Sequence, residues 1–272
     1  MKKTNEKKNM GLKSLIAKRK NHFEVRENAV IDKNTDFNIK EAYKTLRTNI
    51  MFSLANDGKN KILVVTSAVP GEGKSTTVLN LAITFSQIGS KVLVIDGDLR
   101  KPKIHKYMDI NNNKGLSGVL GGFAKVDEVI IKTEFGFDCI TAGSIPPNPS
   151  ELIGSQMLVD ILKDLNEKYD YVFIDSPPVT VVSDTLTIAA MSDGVLLVAR
   201  SKYTPKSLLK QSINNIKITK AKIIGVVVNA VDTKKSAYRA YKGKYYSRGR
   251  YGGYSKYGYH YYYYTSDQKT KE

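Results

Sequence analysis

Cysteine, long apolar runs and acidic residues are all scarce in this 272-residue sequence. These scarcities exclude, in turn, an intramolecular disulfide, a membrane-spanning helix and a balanced net charge. The single Cys139 cannot form an intramolecular disulfide, which fits a reducing cytoplasm. The longest apolar runs, such as 223–228 and 195–199, are far shorter than the roughly 18 residues that a membrane-spanning helix needs. Residues 1–8 are polar with no apolar segment behind them, so neither a signal peptide nor a lipidation motif is visible. We therefore expect a cytoplasmic protein.

The acids are too few to balance the bases, and the excess of positive charge is unevenly distributed. The formal net charge is +17, and residues 233–272 hold ten Lys or Arg against Asp267 and Glu272, a net charge of about +8. Such a segment would be drawn to nucleic acid, to an anionic membrane surface or to an acidic protein surface. Charge alone does not choose among these partners.

Composition and periodicity predict three regions. Residues 1–36 are rich in Lys and Asn and read as a flexible basic arm, residues 37–232 as one folded domain, and residues 233–272 as a disordered tail. The domain begins with a helix at 39–54, because apolar residues recur there at every fourth position and form one buried stripe. The stripe consists of Ala42, Leu46, Ile50 and Leu54.

From Lys61 onward, apolar strands alternate with helices. The predicted strands are 62–66, 92–96, 138–141, 171–175, 195–200 and 223–231, and the predicted helices are 75–88, 150–168 and 205–216. Because the apolar runs lack a period of two, they indicate an α/β fold with a mostly parallel sheet and helices on both faces. The loops at the carboxyl ends of the strands are then expected to form the functional site.

The strongest chemical signal is the segment 68–75, Ala-Val-Pro-Gly-Glu-Gly-Lys-Ser, which follows a strand and opens a helix. Its glycines let backbone N–H groups curl around phosphate oxygens, Lys74 reaches the β- and γ-phosphates, and Ser75 can ligate Mg²⁺. Ala68 departs from the pattern, which begins with glycine. The sequence thus predicts a P-loop NTPase that uses ATP and Mg²⁺. The predicted nucleotide-binding residues are Pro70, Gly71, Glu72, Gly73, Lys74, Ser75 and Thr76, with Asn229 as a candidate adenine contact.

Two further strand ends carry acids. Asp96 closes the strand 92–96 with Asp98 two residues beyond it, and Asp175 closes the strand 171–175. In a parallel sheet these acids converge on the Lys74 loop, where they would hold Mg²⁺ or accept a proton. The alternative is that each Asp only caps the next helix. Arg100, in the same loop as Asp98, either touches phosphate or braces that loop.

The tail holds twelve of the 17 tyrosines. Gly, Lys and Arg separate them without a helical or strand period, so burial is not expected. We interpret them as phosphate acceptors; the alternative is a low-complexity tail that stacks on RNA or on itself. About 40 disordered residues span roughly 35 Å, enough to reach a neighbouring subunit. The acceptors are Tyr238, Tyr241, Tyr245, Tyr246, Tyr251, Tyr254, Tyr257, Tyr259, Tyr261, Tyr262, Tyr263 and Tyr264.

Together these motifs resemble the bacterial protein-tyrosine kinases (BY-kinases) of capsule and exopolysaccharide synthesis, in the cytoplasmic form of Gram-positive bacteria. The resemblance covers most of the chain from Lys40 onward. It rests on segments that look like the Walker A motif, a second Walker motif, the Walker B motif and a proline-rich family motif, together with the tyrosine cluster. These segments are 67–75, 96–102, 173–178 and 146–152.

The resemblance implies an activity and a site. The protein would phosphorylate its tail tyrosines in trans with ATP, and it would regulate capsular or exopolysaccharide synthesis and export. Lys74, Asp96 and Asp98 would be catalytic, with Asp96 in a base-like role, and Ser75, Asp98 and Asp175 would hold Mg²⁺.

The resemblance also implies partners. A transmembrane chain-length-control adaptor would activate the protein and recruit it to the inner face of the plasma membrane, and a cognate phosphotyrosine phosphatase would reverse its reaction. In this family Glu-x-x-Arg-x-x-Arg on the early helix helps to build a ring, an octamer. Glu41, Lys44 and Arg47 occupy those positions, although Lys44 cannot pair with a carboxylate in the bidentate way of Arg. The alternative for these three residues is a solvated charged face.

Two other classes compete with this interpretation. A P-loop assembly or partitioning ATPase without kinase activity would share the fold, but it carries a signature Lys where this chain has Val69, and it needs no tyrosine cluster. A nucleic-acid-binding ATPase would explain the basic tail, but the rest of the sequence has no recognisable reading motif. We therefore expect no specific nucleic-acid partner.

Overall fold

The structure is a computed structural model that describes residues 30–55 and 61–232. Residues 1–29 of the predicted arm and the predicted disordered tail at 233–272, with its twelve tyrosines, lie outside the described residues. No helix in the described ranges is long and apolar enough to cross a membrane.

Seven strands of the described residues form one sheet, in the order β3-β4-β2-β5-β1-β6-β7. All pairs are parallel except β3 with β4, which is antiparallel. The strands are β1 (Lys61–Ser67), β2 (Val92–Asp96), β3 (Ile131–Lys132), β4 (Asp138–Ile140), β5 (Tyr171–Asp175), β6 (Gly194–Arg200) and β7 (Ile223–Asn229). The predicted mostly parallel sheet is confirmed.

Helices cover both faces of this sheet, as the sequence predicted. They are α1 (Phe37–Ser53), α2 (Lys74–Ser86), α3 (Ile104–Met108), α4 (Leu116–Leu120), α5 (Val126–Val129), α6 (Pro149–Ile153), α7 (Gln156–Lys168), α8 (Asp184–Ala190) and α9 (Lys206–Ile218). Every residue of β1 is buried, and its side chains alternate between two cores. Val64 packs in the core that includes α7, α8 and α9, whereas Leu63 and Val65 pack in the core that includes α1 and α2. Burial on both faces explains why the strand shows no polar alternation.

The sheet brings three strand ends together. β5 lies between β1 and β2, and its register sets Asp175 beside Val65 on one side and beside Asp96 on the other. The loop that joins β1 to α2 therefore lies next to both acidic strand ends, as expected at the carboxyl edge of a parallel sheet.

The N-terminal boundary of the domain differs from the prediction. Val30 and Ile31, which we assigned to the flexible arm, are buried, and the Ile31 amide donates to Asn80 Oδ1 of α2 at 2.8 Å. α1 begins two residues before the predicted start, because the Asp36 carboxylate accepts from the Asn38 amide and caps the helix. Along its stripe Ile50 and Leu54 are buried, but Ala42 is exposed, so the stripe covers only the later turns.

Other elements also differ from the prediction. The predicted helix 150–168 is two helices, α6 and α7. The first helix ends before Gly154, and the Ser155 side chain caps the second by accepting a hydrogen bond from the Leu158 amide. The predicted strand 223–231 ends at Asn229, where Ala230 adopts a positive φ of 53°. The short elements α3, α4, α5, β3 and α8 were not predicted.

Candidate active site

The loop between β1 and α2 has the shape of a phosphate cradle. Gly71 and Gly73 have φ values of 84° and 92°, in the left-handed region where glycine has no steric cost. Gly73 is the residue before α2, and a Cβ built there would lie 2.1 Å from Asn229 Nδ2. Glycine is therefore required at position 73 by both conformation and space, and it starts a helix whose N-terminus favours anions.

Lys74 meets two carboxylates in front of this loop. Its Nζ lies 3.4 Å from Asp175 Oδ1 and 3.6 Å from Asp98 Oδ2. Burial alone would lower the pKa of Lys74, but the charges of Asp175, Asp98 and Asp96 outweigh burial and raise it. The ammonium is thus charged at neutral pH and held by side chains that an arriving phosphate can replace.

Asp175 pairs with Lys74 and is fully buried. Burial raises its pKa, while the Lys74 charge opposes that rise. Its Oδ2 atom has no hydrogen-bond partner among the described residues. A buried carboxylate oxygen without a partner is costly, and it marks a place where an ion or a water belongs.

Asp96 and Asp98 have different surroundings. The Asp96 carboxylate is fully buried and accepts the backbone N–H groups of Asp98, Lys103 and Ile104 at 3.0 to 3.3 Å, so it also caps α3. Burial, and next the negative charge of Asp175, raise the pKa of Asp96 to about 7. Asp98 faces Lys74 and accepts the Lys101 amide at 3.0 Å. Asp96 therefore caps a helix, and its catalytic role stays a prediction, whereas Asp98 lines the cavity described next.

A cavity of about 230 Å³ opens in front of the P-loop. P-loop residues, Asp98, three cationic side chains and several apolar side chains line it. The lining residues are Pro70, Gly71, Gly73, Lys74, Ser75, Thr76, Asp98, Arg100, Lys101, Lys103, Tyr107, Pro177, Pro178, Val181 and Val182. Asp96 and Asp175 lie behind this lining.

Glu72 and Asn229 are predicted nucleotide-binding residues that do not line the cavity. The Glu72 side chain is buried, accepts the Val69 amide at 2.9 Å and accepts a short hydrogen bond from the Thr204 hydroxyl. Asn229 Nδ2 donates to the Glu72 carbonyl at 2.9 Å. Both side chains therefore brace the P-loop, and an adenine contact for Asn229 stays a prediction.

The loop after β6 also holds the P-loop from outside. Tyr203 Oη donates to the Pro70 carbonyl at 3.1 Å, and Arg200 Nη1 donates to the Gly71 carbonyl at 3.3 Å. The Arg200 guanidinium lies 5.5 Å from the centre of the Tyr203 ring, a cation–π contact. Sequence reasoning missed these two residues, because nothing near them in the chain marks them.

Arg100 lines the cavity and is fixed by two side chains from other elements. Its Nε donates to Asp184 Oδ2 at 2.9 Å and its Nη2 donates to Ser150 Oγ at 2.7 Å. The hydrogen bond to Asp184 raises the pKa of Arg100. Ser150 lies in the proline-rich motif that the sequence singled out, but nothing in the sequence marked Asp184, because helix α8 was not predicted.

The three residues predicted for a subunit interface lie on α1. Lys44 Nζ pairs with Glu41 Oε1 at 2.8 Å on the surface, and Arg47 Nη1 donates to the Thr84 carbonyl of α2 at 2.6 Å. Arg47 therefore makes a hydrogen bond within its own chain, which the alternative of a solvated charged face did not include. Their contact with another subunit stays a prediction.

Comparison with known proteins agrees with this geometry. A family model described as an AAA domain matches residues 60–226, a range that contains the P-loop and all three aspartates. The tyrosine-protein kinase YwqD of Bacillus subtilis (strain 168) is 38% identical over 204 residues, 75% of this chain and 86% of YwqD.

Two solved structures are similar in fold and sequence. The kinase domain of the Escherichia coli tyrosine kinase ETK has a TM-score of 0.69 at 33% identity, and the match covers 81% of this chain and 80% of that one. The chimerical protein CapA2B2 has a TM-score of 0.67 at 40% identity, with 70% and 84% covered.

Proposed function

This chain contains an AAA domain and belongs to the bacterial tyrosine-protein kinases, and from that premise we propose that it phosphorylates its own C-terminal tyrosines in trans. The γ-phosphate of ATP would pass to a phenol oxygen of a neighbouring copy. The observation that carries this proposal is the contact of Lys74 with Asp98 and Asp175 in front of a P-loop, in a chain that has twelve tyrosines within residues 233–272.

The P-loop supports ATP as the phosphate donor. Gly73, Lys74, Ser75 and Thr76 all line the cavity at the start of α2, where backbone N–H groups and the helix dipole favour phosphate oxygens. Lys74 would exchange its two carboxylate partners for β- and γ-phosphate oxygens. Since its pKa is raised, it keeps its positive charge throughout.

The site also fits Mg²⁺. Asp175 Oδ2 is buried without a partner among the described residues, Asp98 faces the cavity, and Ser75 lies in the first turn of α2. Mg²⁺ takes few protein ligands and keeps phosphates and waters as the rest, so a hydroxyl and one or two carboxylates would suffice to hold it. When bound, the ion would neutralise charge on the transferring phosphoryl group.

Asp96 is the residue that we propose for the phenol proton. With a pKa of about 7 it is partly ionised at neutral pH, which suits proton acceptance. Because Asp96 is fully buried and does not line the cavity, the residues that cover it have to move before a phenol reaches its carboxylate. Phosphoryl transfer has a loose transition state, so we expect positioning and charge to matter more than proton removal.

The acceptors that we propose are the twelve tyrosines between Tyr238 and Tyr264. They lie in a segment of about +8 charge, and each phosphate adds about −1.5 to −2 near neutral pH. About five or six phosphates would cancel the positive charge of this segment, and more would reverse it. Its attraction to acidic surfaces would then be lost.

The assembly that we propose is a homo-oligomeric ring, an octamer by family resemblance, with Glu41, Lys44 and Arg47 at its contacts. A ring brings the C-terminal segment of one copy to the cavity of the next, as phosphorylation in trans requires. The activator would be the cytoplasmic part of a transmembrane chain-length-control adaptor, which would hold the kinase at the inner face of the plasma membrane. A phosphotyrosine phosphatase would reset the segment, and the regulated process would be synthesis and export of a capsular or extracellular polysaccharide.

Mass-spectrometric mapping of the purified chain after incubation with ATP and Mg²⁺ tests this proposal. We expect phosphate on tyrosines 238–264 and none in the Lys74→Met variant. The matched control is Lys91→Met, which changes an exposed lysine at the opposite end of β2. ATP hydrolysis without phosphotyrosine would reject the kinase in favour of an assembly ATPase.

A further inference from the structure

We propose that Asp184 and Ser150 are positioning residues, which hold the Arg100 guanidinium in the cavity so that it binds the phosphoryl group on the side of the acceptor. This inference rests on the proposed kinase function and deepens it. The ligand of Arg100 is a tetrahedral phosphate, carried either by ATP as its γ-phosphate or by a tyrosine that has just been modified.

Arg100, Asp184 and Ser150 form a closed ring of hydrogen bonds. Arg100 donates to both partners at 2.9 and 2.7 Å, and Ser150 Oγ in turn donates to Asp184 Oδ1 at 2.6 Å. The Asp184 side chain is only 2% exposed, whereas that of Arg100 is 39% exposed. A buried carboxylate therefore faces outward onto a partly exposed guanidinium, which lines the cavity.

The ring joins three separate elements. Arg100 follows β2, Ser150 is in the first turn of α6, and Asp184 is in the first turn of α8. Burying a carboxylate is costly unless it is paired. Here Asp184 pairs with Arg100, which lines the cavity. A fixed guanidinium keeps its planar fork oriented before a ligand arrives, so less entropy is lost when it binds phosphate.

The remaining N–H groups of Arg100 are suited to an anion. The hydrogen bonds within the described ranges use Nε and Nη2, and guanidinium carries five N–H donors in all. Lys101 and Lys103 line the same cavity and add positive charge. Bidentate contact with phosphate oxygens is what guanidinium does best.

Apolar side chains also line the cavity. Tyr107, Pro178, Val181 and Val182 line it together with Arg100. This pairing of an apolar wall with a fixed cation suits a phenyl ring that carries, or is about to receive, a phosphate. A serine or threonine acceptor would leave the apolar wall unused.

A double-mutant cycle distinguishes a role of Asp184 in positioning Arg100 from a purely structural role of Asp184. We expect Arg100→Ala to lower kcat by about 10²-fold, as loss of a charge-stabilising donor commonly does. Asp184→Asn should lower kcat about tenfold in the wild-type background and not at all in the Arg100→Ala background. Equal effects of Asp184→Asn in both backgrounds would overturn the proposal, because Asp184 would then act without Arg100. Ser150→Ala, which removes only one hydroxyl, gives the same comparison if Asp184→Asn fails to fold.

Binding measurements identify the phosphate and do not depend on turnover. A non-hydrolysable ATP analogue with Mg²⁺, and a peptide of residues 257–264 phosphorylated at one tyrosine, are titrated into the full chain and its variants. At least tenfold weaker binding of the analogue in both Arg100→Ala and Asp184→Asn assigns the γ-phosphate, and weaker binding of the peptide assigns phosphotyrosine. Unchanged affinity for both ligands in folded variants would overturn the proposal. Lys163→Ala, an exposed change on α7, is the control.

The failure of this inference and that of the proposed function are distinguishable. If the wild-type chain makes no phosphotyrosine, the proposed kinase function is rejected. The titrations with the ATP analogue and the phosphopeptide still test the role of Arg100 in that case. If the wild-type chain makes phosphotyrosine and the Arg100→Ala variant makes it equally well, only the positioning role is rejected.

Discussion

The side-chain amide of Asn229, at the end of β7, donates to the main-chain carbonyl of Glu72 in the P-loop at 2.9 Å. One hydrogen bond thus ties the edge strand to the phosphate cradle, across 157 positions of sequence. We expect Asn229→Ala to lower the free energy of unfolding by about 1 kcal/mol and to weaken ATP binding about tenfold, because the cradle loses a brace. Chemical unfolding and calorimetric titration measure both effects. Lys202→Ala on the neighbouring exposed loop should change neither, and unchanged ATP affinity in Asn229→Ala would contradict the bracing role.

Gly73 and Gly89 form a matched pair for a test of the cradle. Their φ values are 92° and 86°, but a Cβ at Gly73 would meet Asn229 Nδ2 at 2.1 Å, whereas one at Gly89 meets nothing within 4 Å. Gly89→Ala should therefore cost only the conformational strain, about 1 to 2 kcal/mol. We expect Gly73→Ala to cost more than that and to abolish ATP binding. Equal losses of stability in the two variants would show that Asn229 does not confine this position.

Arg47 and Lys44 should differ although both lie on the charged face of α1. Arg47→Ala removes the 2.6 Å hydrogen bond to the Thr84 carbonyl and should lower the free energy of unfolding by about 1 to 2 kcal/mol. Lys44→Ala removes a surface pair with Glu41 and should cost less than about 0.5 kcal/mol. Urea unfolding at low protein concentration measures this difference. Analytical ultracentrifugation of the same variants separately tests the ring.

The stability of the metal-free protein should depend on pH through Asp96. Its folded pKa of about 7 lies above the ordinary 3.8, so the stability it contributes is complete below about pH 3.8 and is lost as the pH rises through 7. In buffer with chelator and without nucleotide, the stability of wild type relative to Asp96→Asn should therefore fall between about pH 4 and pH 7 and level off above pH 7. Urea unfolding at each pH gives the two curves. Parallel curves would show that Asp96 does not titrate in this range.

The sequence predicted the fold, the P-loop and the aspartates near it, because the signals for them lie in short segments of the chain. Buried strands read as apolar runs. Lys74 and Ser75 open the helix that follows β1, and the aspartates stand at or near strand ends, so a parallel sheet brings them together. The glycines of the P-loop were recognisable for the same reason, since the left-handed conformations at Gly71 and Gly73 are a property of the loop itself.

The rest depends on contacts between distant residues. Arg100 and Asp184 are 84 positions apart, and Tyr203 and Pro70 are 133 apart, so no periodicity or spacing joins them. Glu72 was predicted to bind nucleotide because it lies between two P-loop glycines, but its side chain turns inward to Val69 and Thr204. Ala42 fits the helical stripe of α1 and is still exposed, whereas Ile50 and Leu54 in the same stripe are buried.

Phosphorylation between two distinguishable copies tests the central claim most directly. The donor has intact Lys74 and all twelve C-terminal tyrosines changed to Phe, and the acceptor has Lys74→Met with its tyrosines intact. After mixing the two with ATP and Mg²⁺, we predict phosphotyrosine on residues 238–264 of the acceptor, and none when either chain is incubated alone. An acceptor that stays unmodified in the mixture, while wild-type protein modifies itself, would contradict transfer between copies.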